Sequence, residues 1–356
     1  MSRQVTVGNV KIGGGAPVSV QSMLNVPAHD FEGNLQQARA LYAAGCEMIR
    51  VSVPDKETVP LVSALREAVP VPIVADIHFD YRLAVAAAEA GAQKIRINPG
   101  NIGGDDKVKA VADCCRQRGI PIRVGVNAGS LSKEILRRYG SPTPEALVES
   151  AFEHIRLLNR YDFDEIVVSI KSSDVPTMYA AYTLMAERSD YPLHLGVTEA
   201  GTERSGLIKS AAGIGGLLLR GIGDTIRVSL TADPVREVIA GIEILRAVGL
   251  RRDGVTIASC PTCGRTKIDI IGIAEEVERR IREREPFWKN RDFKVAVMGC
   301  VVNGPGEAKE ADIGIAGGDH CGVLIRHGEV LRTIPEERLV EELMAEIEHM
   351  QAEETV

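Results

Sequence analysis

The sequence predicts an α/β protein of two domains, a (β/α)8 TIM barrel over residues 1–248 and an α+β domain over residues 249–356. Two observations carry this prediction. In the first two thirds of the chain, short runs rich in Val and Ile alternate with Ala-, Leu- and Glu-rich stretches of helical periodicity. Beyond about residue 250 that alternation stops, and a different order of strands and helices follows.

The first domain contains eight predicted strands, each followed by a helical stretch. Strict alternation of strand and helix implies parallel pairing through right-handed crossovers. Eight such units in about 240 residues match the size of a closed barrel. An open, doubly wound sheet is the alternative, and the strand count favours closure. The predicted strands are residues 18–23, 48–53, 72–78, 94–100, 121–127, 165–171, 193–199 and 225–230.

The remaining elements follow from the same patterns. Residues 128–164 form a longer gap, which predicts an extra helix or loop before the next crossover helix. In the second domain we expect a strand in VTIASC, a charged helix near 269–285, strands in FKVAVMGC, ADIGIAGG and GVLIRHGEVLRTI, and a final helix in EERLVEELMAEIEHM.

Composition narrows the class of protein. The chain has 356 residues, 45% of them hydrophobic and 4% aromatic, and a net charge of −7. The negative charge argues against a general binder of nucleic acid or of anionic membranes. No apolar stretch is long enough to span a bilayer, and we expect a cytoplasmic enzyme. Seven cysteines in a chain of this length are better explained as metal ligands than as disulfide partners.

The predicted barrel strands carry polar residues on one face. Alternate positions on a strand point to opposite faces of the sheet, so the apolar set faces the helices and the polar set faces the barrel axis. Several cations converging on one mouth would repel one another unless an anion or carboxylates neutralise them. The polar set comprises Arg50, Ser52, Asp76, His78, Arg96, Asn98, Arg123, Asn127, Ser169, Lys171, Arg227 and Ser229.

These cations predict a strongly anionic substrate. Guanidinium forks and a lysine ammonium at the rim are what a phosphate or diphosphate group requires. We expect Asn98, Ser229 and His78 to contact the substrate as well. The alternative is an internal network of ion pairs made with Asp76 and Glu199.

A second set of residues suggests a metal centre in the C-terminal domain. Cys260 and Cys263 form a Cys-x-x-Cys pair in SCPTCGRTK, and Cys300 stands seven residues before Glu307 in VMGCVVNGPGE. Three sulfurs favour zinc or an iron–sulfur cluster over hard cations. We predict a [4Fe–4S] cluster with Glu307 as its fourth ligand. Zinc remains the alternative, with a fourth ligand from His320, Cys321 or His327.

The chain resembles the 4-hydroxy-3-methylbut-2-en-1-yl diphosphate synthase family of the non-mevalonate isoprenoid pathway, in its short two-domain form. The resemblance runs nearly end to end. It includes the segments VSVQSM, IRVSVPD, PIVADIHFD, KIRINPGNIG, RVGVNAGSL, SIKSSD, LGVTEAG, SCPTCGRT and MGCVVNGPGE.

The resemblance implies a reaction and a set of roles. The substrate would be 2-C-methyl-D-erythritol 2,4-cyclodiphosphate, opened and reductively dehydrated with two electrons from reduced ferredoxin or flavodoxin. Asp76 and Glu199 would lie near the reacting carbons. A head-to-tail homodimer would bring the cluster domain of one chain to the barrel of the other. The implied cluster ligands are Cys260, Cys263, Cys300 and Glu307, and the implied diphosphate contacts are Arg50, Arg96, Arg123, Asn127 and Lys171.

Two other classes of protein remain open from the residues alone. One is a zinc-stabilised barrel lyase or aldolase that acts on a phosphorylated substrate through a Schiff base on Lys171. The other is a non-enzymatic electron-transfer or scaffold protein, which leaves the polar lumen of the barrel without a purpose.

Overall fold

The computed structural model describes residues 1–98, 100–283, 292–300, 306 and 308–353. The chain forms two compact units, Met1–Arg251 and Arg252–Val356. The first unit contains an eight-stranded parallel sheet with helices between successive strands, and the second contains a separate five-stranded sheet. The predicted α/β class is confirmed.

The parallel sheet of the first unit closes into the predicted barrel. Strands pair in the order β8-β7-β6-β5-β4-β3-β10-β9, and a parallel bridge between Val168 and Leu193 joins the two ends of that series. The strands of this unit are β1 Val5–Val7, β2 Val10–Ile12, β3 Ser19–Met23, β4 Met48–Ser52, β5 Ile73–Asp76, β6 Lys94–Ile97, β7 Ile122–Asn127, β8 Ile166–Lys171, β9 His194–Leu195 and β10 Thr225–Ile226.

Helices pack on the outer, apolar face of the strands, where Ile49, Val51, Ile95 and Ile97 are fully or almost fully buried. At the start of several of these helices, an acidic or hydroxyl side chain accepts a hydrogen bond from a backbone N–H of the first turn. The helices are α1 Phe31–Ala43, α2 Val59–Ala68, α3 Tyr81–Glu89, α4 Asp105–Arg118, α5 Lys133–Tyr139, α6 Pro144–Asn159, α7 Val175–Arg188, α8 Glu203–Ser210, α9 Gly216–Leu218 and α10 Pro234–Ala247. A π-helical turn, Ala211–Gly215, joins α8 to α9.

Strands β1 and β2 form an antiparallel hairpin that the sequence analysis did not predict. Val7 and Ile12 of the hairpin are fully buried in a cluster with Met48 and Val74 of the barrel. Gly8 at its turn has a φ of +57°, and a side chain there would meet Gln93, just before β6. The hairpin therefore covers the amino-terminal end of the barrel strands.

The last two barrel strands are shorter than predicted. Residues 193–199 and 225–230 were expected as strands, but regular pairing covers His194–Leu195 and Thr225–Ile226. Beyond these residues the backbone N–H groups find other partners. Leu230 N donates to the Glu237 carboxylate, and Thr198 N donates to the carbonyl of Ser172. Both segments thus leave the sheet at the barrel mouth.

The second unit is a mixed sheet with the order β11-β12-β13-β14-β15, parallel from β11 to β13 and antiparallel from β13 to β15. The apolar faces of two helices pack against it, through Val277 and Ile281 of the first and Leu343 and Ile347 of the second. The elements are β11 Gly254–Ser259, α11 Ile270–Glu283, β12 Asp292–Met298, β13 Ile313–Gly317, β14 Cys321–Arg326, β15 Glu329–Pro335 and α12 Leu339–Glu353. Within the described ranges, no helix has the length and apolar character needed to cross a bilayer.

Candidate active site

A buried carboxylate organises two of the predicted cations inside the barrel. Asp76, at the end of β5, has no exposed surface. Its Oδ2 accepts a hydrogen bond from Arg50 Nη2 at 2.6 Å, and its Oδ1 accepts one from Arg96 Nη1 at 3.1 Å. Each arginine comes from a strand adjacent to β5 in the barrel. The lumen therefore holds both guanidinium groups against one shared anion.

The protonation state of Asp76 follows from this pairing. Burial alone would raise the pKa of Asp76, but the charges of Arg50 and Arg96 outweigh burial and hold the pKa well below its usual range. Asp76 is therefore ionised at neutral pH. As a carboxylate it accepts hydrogen bonds and has no proton to donate.

Arg123 on β7 adds a further cation without a carboxylate of its own. Its side chain is fully buried, and its Nη1 donates to Oε1 of Gln21 at 3.3 Å. Burial, and then the charges of Arg50 and Arg96, push the pKa of Arg123 downward, although a guanidinium keeps its proton in proteins. Among the described residues, none is hydrogen-bonded to Arg123 Nε or Nη2. These donors leave the lumen short of negative charge, which an anionic ligand would supply.

Beside these cations, a cavity opens between the ends of β8, β9 and β10. Lys171 and Ser229, both predicted substrate contacts, line it together with Arg227 and Thr198. Burial, followed by the charges of Arg50 and Arg123, lowers the pKa of Lys171 well below its ordinary value. A bound anion would reverse that shift by favouring the ammonium form.

The other predicted residues of the barrel occupy different surroundings. Asn98 is buried, and its Oδ1 accepts from the backbone N–H of Gly100, so it shapes the loop after β6. His78 is exposed, with Nε2 3.5 Å from Asp76 Oδ2. Asn127 pairs in register with Lys171 where β7 and β8 end. Glu199 is exposed and has a φ of +52°, an uncommon conformation for a residue other than glycine.

His194 is a residue of the lumen that sequence analysis missed. It is 2% exposed and lines the same cavity as Lys171, and its Nδ1 has no hydrogen-bond partner in the part of the chain that the structure describes. Burial, and then the nearby charge of Arg123, lower the pKa of His194 well below its usual value, so the imidazole is neutral. The sequence did contain a signal for His194, because it is a polar residue within the predicted strand 193–199.

Lys94 and Gly125 were also missed. Lys94 starts β6, is fully buried, and has its Nζ 3.4 Å from Met48 Sδ. Gly125 makes room for Arg96, because a Cβ on Gly125 would lie 2.8 Å from Arg96 Nε. Alternation along β6 places Lys94 on the same face as Arg96. The need for a glycine at position 125 depends on a side chain from the neighbouring strand, which the local sequence does not show.

In the second unit, the two cysteine segments meet at the carboxyl ends of β11 and β12. These strands pair in parallel, with Ser259 opposite Val297, so Cys260 follows β11 beside the residues that follow β12. Gly299 N donates a hydrogen bond to Cys260 Sγ at 3.1 Å, and Cys300 is the next residue. Hydrogen bonds from backbone N–H groups to cysteine sulfur are one of the means by which proteins tune iron–sulfur clusters.

The Cys-x-x-Cys turn is anchored to the same place. Thr266 Oγ1 accepts from Cys263 N at 3.2 Å, and a Cβ on Gly299 would lie 3.1 Å from the Thr266 side chain. Hydrogen bonds from Arg265 and then from Thr266 lower the pKa of the exposed Cys263 thiol, which favours the thiolate that a metal requires. The donor set thus fits a thiolate-bound metal or cluster.

The fourth predicted ligand, Glu307, lies outside the described residues. Within those residues, no three His, Cys, Asp or Glu side chains form a group able to hold a metal ion. Of the residues considered for zinc, His320 and His327 are exposed and Cys321 begins β14.

The cysteines of the first unit are set apart from this chemistry. Cys46 and Cys115 are buried, and burial raises the pKa of Cys46 to about 12. A thiol with that pKa is protonated at neutral pH and packs as a small apolar side chain.

Two family models together cover nearly the whole chain. The model of the GcpE TIM-barrel domain matches residues 2–242, and that of the GcpE protein C-terminal domain matches residues 256–349. Proteins described as "4-hydroxy-3-methylbut-2-en-1-yl diphosphate synthase (flavodoxin)" are similar along their full length. The one from Caldanaerobacter subterraneus subsp. tengcongensis is 57% identical over 99% of this chain and 98% of its own. The one from Geobacter sulfurreducens is 54% identical over 99% and 98% of the two chains.

Solved structures of another enzyme share the barrel. The crystal structure of dihydropteroate synthase from Yersinia pestis superposes with a TM-score of 0.51 at 17% identity, covering 70% of this chain and 98% of that one. The enzyme from Xanthomonas albilineans, in complex with 7,8-dihydropteroate, gives 0.51 at 18% identity, over 69% and 97%. At these identities the likeness concerns the fold alone.

Proposed function

This chain belongs to the GcpE family, and on that basis we propose that it is a 4-hydroxy-3-methylbut-2-en-1-yl diphosphate synthase. It converts 2-C-methyl-D-erythritol 2,4-cyclodiphosphate to 4-hydroxy-3-methylbut-2-enyl diphosphate by reductive ring opening and dehydration. A carbon–oxygen bond to the cyclic diphosphate breaks, a hydroxyl leaves as water, and two electrons are consumed. The protein must therefore hold a diphosphate, deliver electrons and supply protons.

The observation that carries this proposal is the excess of buried cations in the barrel. Arg50 and Arg96 share the single carboxylate of Asp76, while Arg123 donates to a neutral glutamine. Lys171 lines the adjoining cavity. A diphosphate in the lumen would accept the remaining N–H donors in charge-assisted hydrogen bonds. The same contacts would stabilise it as a leaving group when the ring opens. Asn98, Asn127, Ser229 and His78 complete the proposed contacts.

We place a [4Fe–4S] cluster on Cys260, Cys263, Cys300 and Glu307. When bound, such a cluster supplies electrons one at a time at an iron that can also bind an oxygen. The support from the chain is the hydrogen bond from Gly299 to Cys260 Sγ and the lowered pKa of Cys263. A carboxylate binds cluster iron less firmly than a thiolate does, which would make Glu307 the replaceable ligand.

Glu199 is the better candidate for the proton donor to the departing hydroxyl. Asp76 is fully buried and held ionised by two arginines, so it serves to position Arg50 and Arg96. Glu199 is exposed after β9, and its positive φ is a conformation that costs free energy and occurs at functional sites.

We also propose the partners that the family implies. The names of the relatives include flavodoxin, which makes reduced flavodoxin the first electron donor to test, with ferredoxin second. A head-to-tail homodimer in the cytoplasm completes the proposal, and sedimentation of the protein at equilibrium tests the dimer.

Metal analysis of protein purified without oxygen, combined with turnover, tests the function. We expect about four irons per chain, as a [4Fe–4S] cluster requires, and product formation with reduced flavodoxin. About one zinc per chain, together with borohydride trapping of a substrate adduct on Lys171, would instead indicate a zinc-stabilised lyase. Iron-free protein that still forms product would overturn the proposal.

A further inference from the structure

A second buried carboxylate lies at the barrel mouth and takes no part in the roles assigned above. Glu237 is in the first turns of α10, and its side chain is 4% exposed. A carboxylate this deeply buried must find donors for its oxygens, or it destabilises the fold. Glu237 has three donors from two parts of the chain, β3 and the segment that follows β10, on the side of the barrel where these strands are neighbours.

The first donor is Arg227. Its Nη2 lies 3.3 Å from Glu237 Oε2 and 3.4 Å from Oε1. Arg227 is one of the residues that line the cavity shared with Lys171 and Ser229. Its Nη1 approaches Met23 Sδ at 3.7 Å, and its buried Nε has no hydrogen-bond partner within the described ranges. Glu237 thus fixes Arg227 through Nη2.

The second donor is the backbone of the segment that carries Ser229. Leu230 N donates to Glu237 Oε1 at 3.0 Å. Regular strand pairing has already ended at Ile226, so this hydrogen bond replaces the ladder contact that a longer strand would provide. The position of Ser229 in the cavity therefore depends on Glu237 through its neighbour in the chain.

The third donor is Ser22, which is fully buried on β3, and its Oγ lies 3.1 Å from Glu237 Oε2. Ser22 ties the carboxylate to a barrel strand that contributes no charge to the cavity. The contact holds the helix, the strand and the loop in one arrangement. Its partners leave Glu237 no freedom to turn toward the lumen.

We propose that Glu237 is a positioning residue of the anion site, which orients Arg227 through its side chain and Ser229 through the Leu230 backbone. This inference rests on the proposed function, because it takes the cavity to be where the diphosphate binds. Glu237 touches no reacting atom in this scheme. Its effect is to fix two contacts before the substrate arrives, so that less ordering accompanies binding.

Glu237→Gln tests the proposal, since it keeps the shape of the side chain and removes its charge. We expect the KM for the cyclodiphosphate to rise roughly tenfold, a change of about 1.4 kcal/mol, with kcat much less affected. The Kd for inorganic pyrophosphate, measured by calorimetry on the cluster-loaded protein, should weaken by the same factor. Glu243→Gln on the same helix is the control, because Glu243 is exposed and pairs with Arg246; both constants should stay unchanged.

A double-mutant cycle separates positioning from a general loss of stability. Arg227→Gln should weaken pyrophosphate binding, and adding Glu237→Gln should weaken it further by a smaller factor than in the wild type, because only the effect through Ser229 remains. Additive losses would overturn the proposal, as would a Kd and KM for Glu237→Gln equal to those of Glu243→Gln. If Glu237→Gln does not fold, Glu237→Asp carries the same expectation, because it keeps the charge and withdraws it from all three donors.

The anion site itself has an independent control. Lys171→Ala should weaken pyrophosphate binding whether or not Glu237 has the proposed role. If Lys171→Ala binds pyrophosphate normally, the proposed function fails at its diphosphate site. If Lys171→Ala weakens binding and Glu237→Gln does not, the positioning role alone is wrong.

Discussion

Asp76 Oδ2 lies 2.6 Å from Arg50 Nη2 inside the barrel, and the same carboxylate accepts a hydrogen bond from Arg96 through its other oxygen. Two strands that flank β5 are thereby joined through one anion. Neither arginine can move away without leaving a buried charge unpaired.

Asp76→Asn should therefore destabilise the barrel strongly. Removing one partner of a buried ion pair typically costs about 3–5 kcal/mol, and here two arginines lose their partner. Urea unfolding of the purified variant would measure the loss. Asp80→Asn is the matched control, because Asp80 pairs with Arg82 at the surface, where an ion pair contributes about 0–1 kcal/mol. Equal losses in the two variants would contradict the role given to Asp76.

Lys94 makes the stability of the fold depend on pH. Burial, and then the charges of Arg123 and Arg50, lower the pKa of Lys94 well below its ordinary value in the folded protein. In the unfolded chain this amine keeps its proton up to about pH 10.4. Unfolding therefore takes up a proton between the two pKa values. In that window the free energy of unfolding should rise with pH by at most about 1.4 kcal/mol per pH unit.

Lys94→Met removes that dependence. The variant should be more stable than the wild type at about pH 7 and should lose this advantage as the pH approaches about 10. Urea unfolding at several pH values gives the difference. Lys109→Met is the control, because Lys109 is exposed on α4 beside Asp113, and its difference from wild type should not change in the same way. A constant difference for Lys94→Met would show that the buried amine keeps its proton.

Glu199→Gln should slow the reaction without loosening the substrate. A positioned proton donor typically contributes about 10²–10⁴-fold to the rate, so we expect kcat to fall within that range while KM changes little. Steady-state kinetics with reduced flavodoxin would measure both. A normal rate for Glu199→Gln would show that Glu199 is not the proton donor.

Cys300→Ser should remove the iron centre. A serine hydroxyl is a much poorer ligand for cluster iron than a thiolate, so the visible absorbance of protein reconstituted without oxygen should disappear. Cys114→Ser on α4 should keep both iron and absorbance, because Cys114 belongs to the barrel unit and Cys300 to the other unit. An unchanged spectrum for Cys300→Ser would exclude Cys300 as a ligand.

Arg123→Ala should weaken binding of the cyclodiphosphate and leave the iron content unchanged. Arg123 belongs to the barrel unit, whereas the proposed cluster cysteines belong to the other unit. Removing the charge of Arg123 should therefore not affect the cluster. Calorimetry and iron analysis on the same sample test both expectations. Loss of iron together with loss of binding would mean that the two units do not function separately.

Much of the barrel and its lumen could be predicted because alternation along a strand is a local property. Arg50, Asp76 and Arg96 occupy the predicted face, and the apolar positions between them pack under the helices as expected. The apolar runs VTIA and VAVM likewise predict that Cys260 and Cys300 stand where two strands end. The two cysteine segments meet because these strands, β11 and β12, pair in parallel.

The features that escaped prediction depend on contacts between distant parts of the chain. Glu237 lies in an ordinary amphipathic helix, and only its three donors, up to 215 residues away, distinguish it from a surface acid. Tyr182 on α7 also makes a contact that its own helix does not indicate. Its hydroxyl accepts a hydrogen bond from the backbone N–H of Ile170 on β8. The hairpin of β1 and β2 was missed because its two strands have three residues each, too few for a clear alternation.

The hairpin of β1 and β2 affects how substrate enters the barrel and how product leaves it. Val7 and Ile12 pack against the barrel at the end opposite to Lys171 and Ser229, so the hairpin covers that end. Substrate and product must therefore both pass through the barrel mouth, one after the other. Product that remains bound at the barrel mouth would block the next substrate molecule. Product inhibition should therefore be competitive with the cyclodiphosphate.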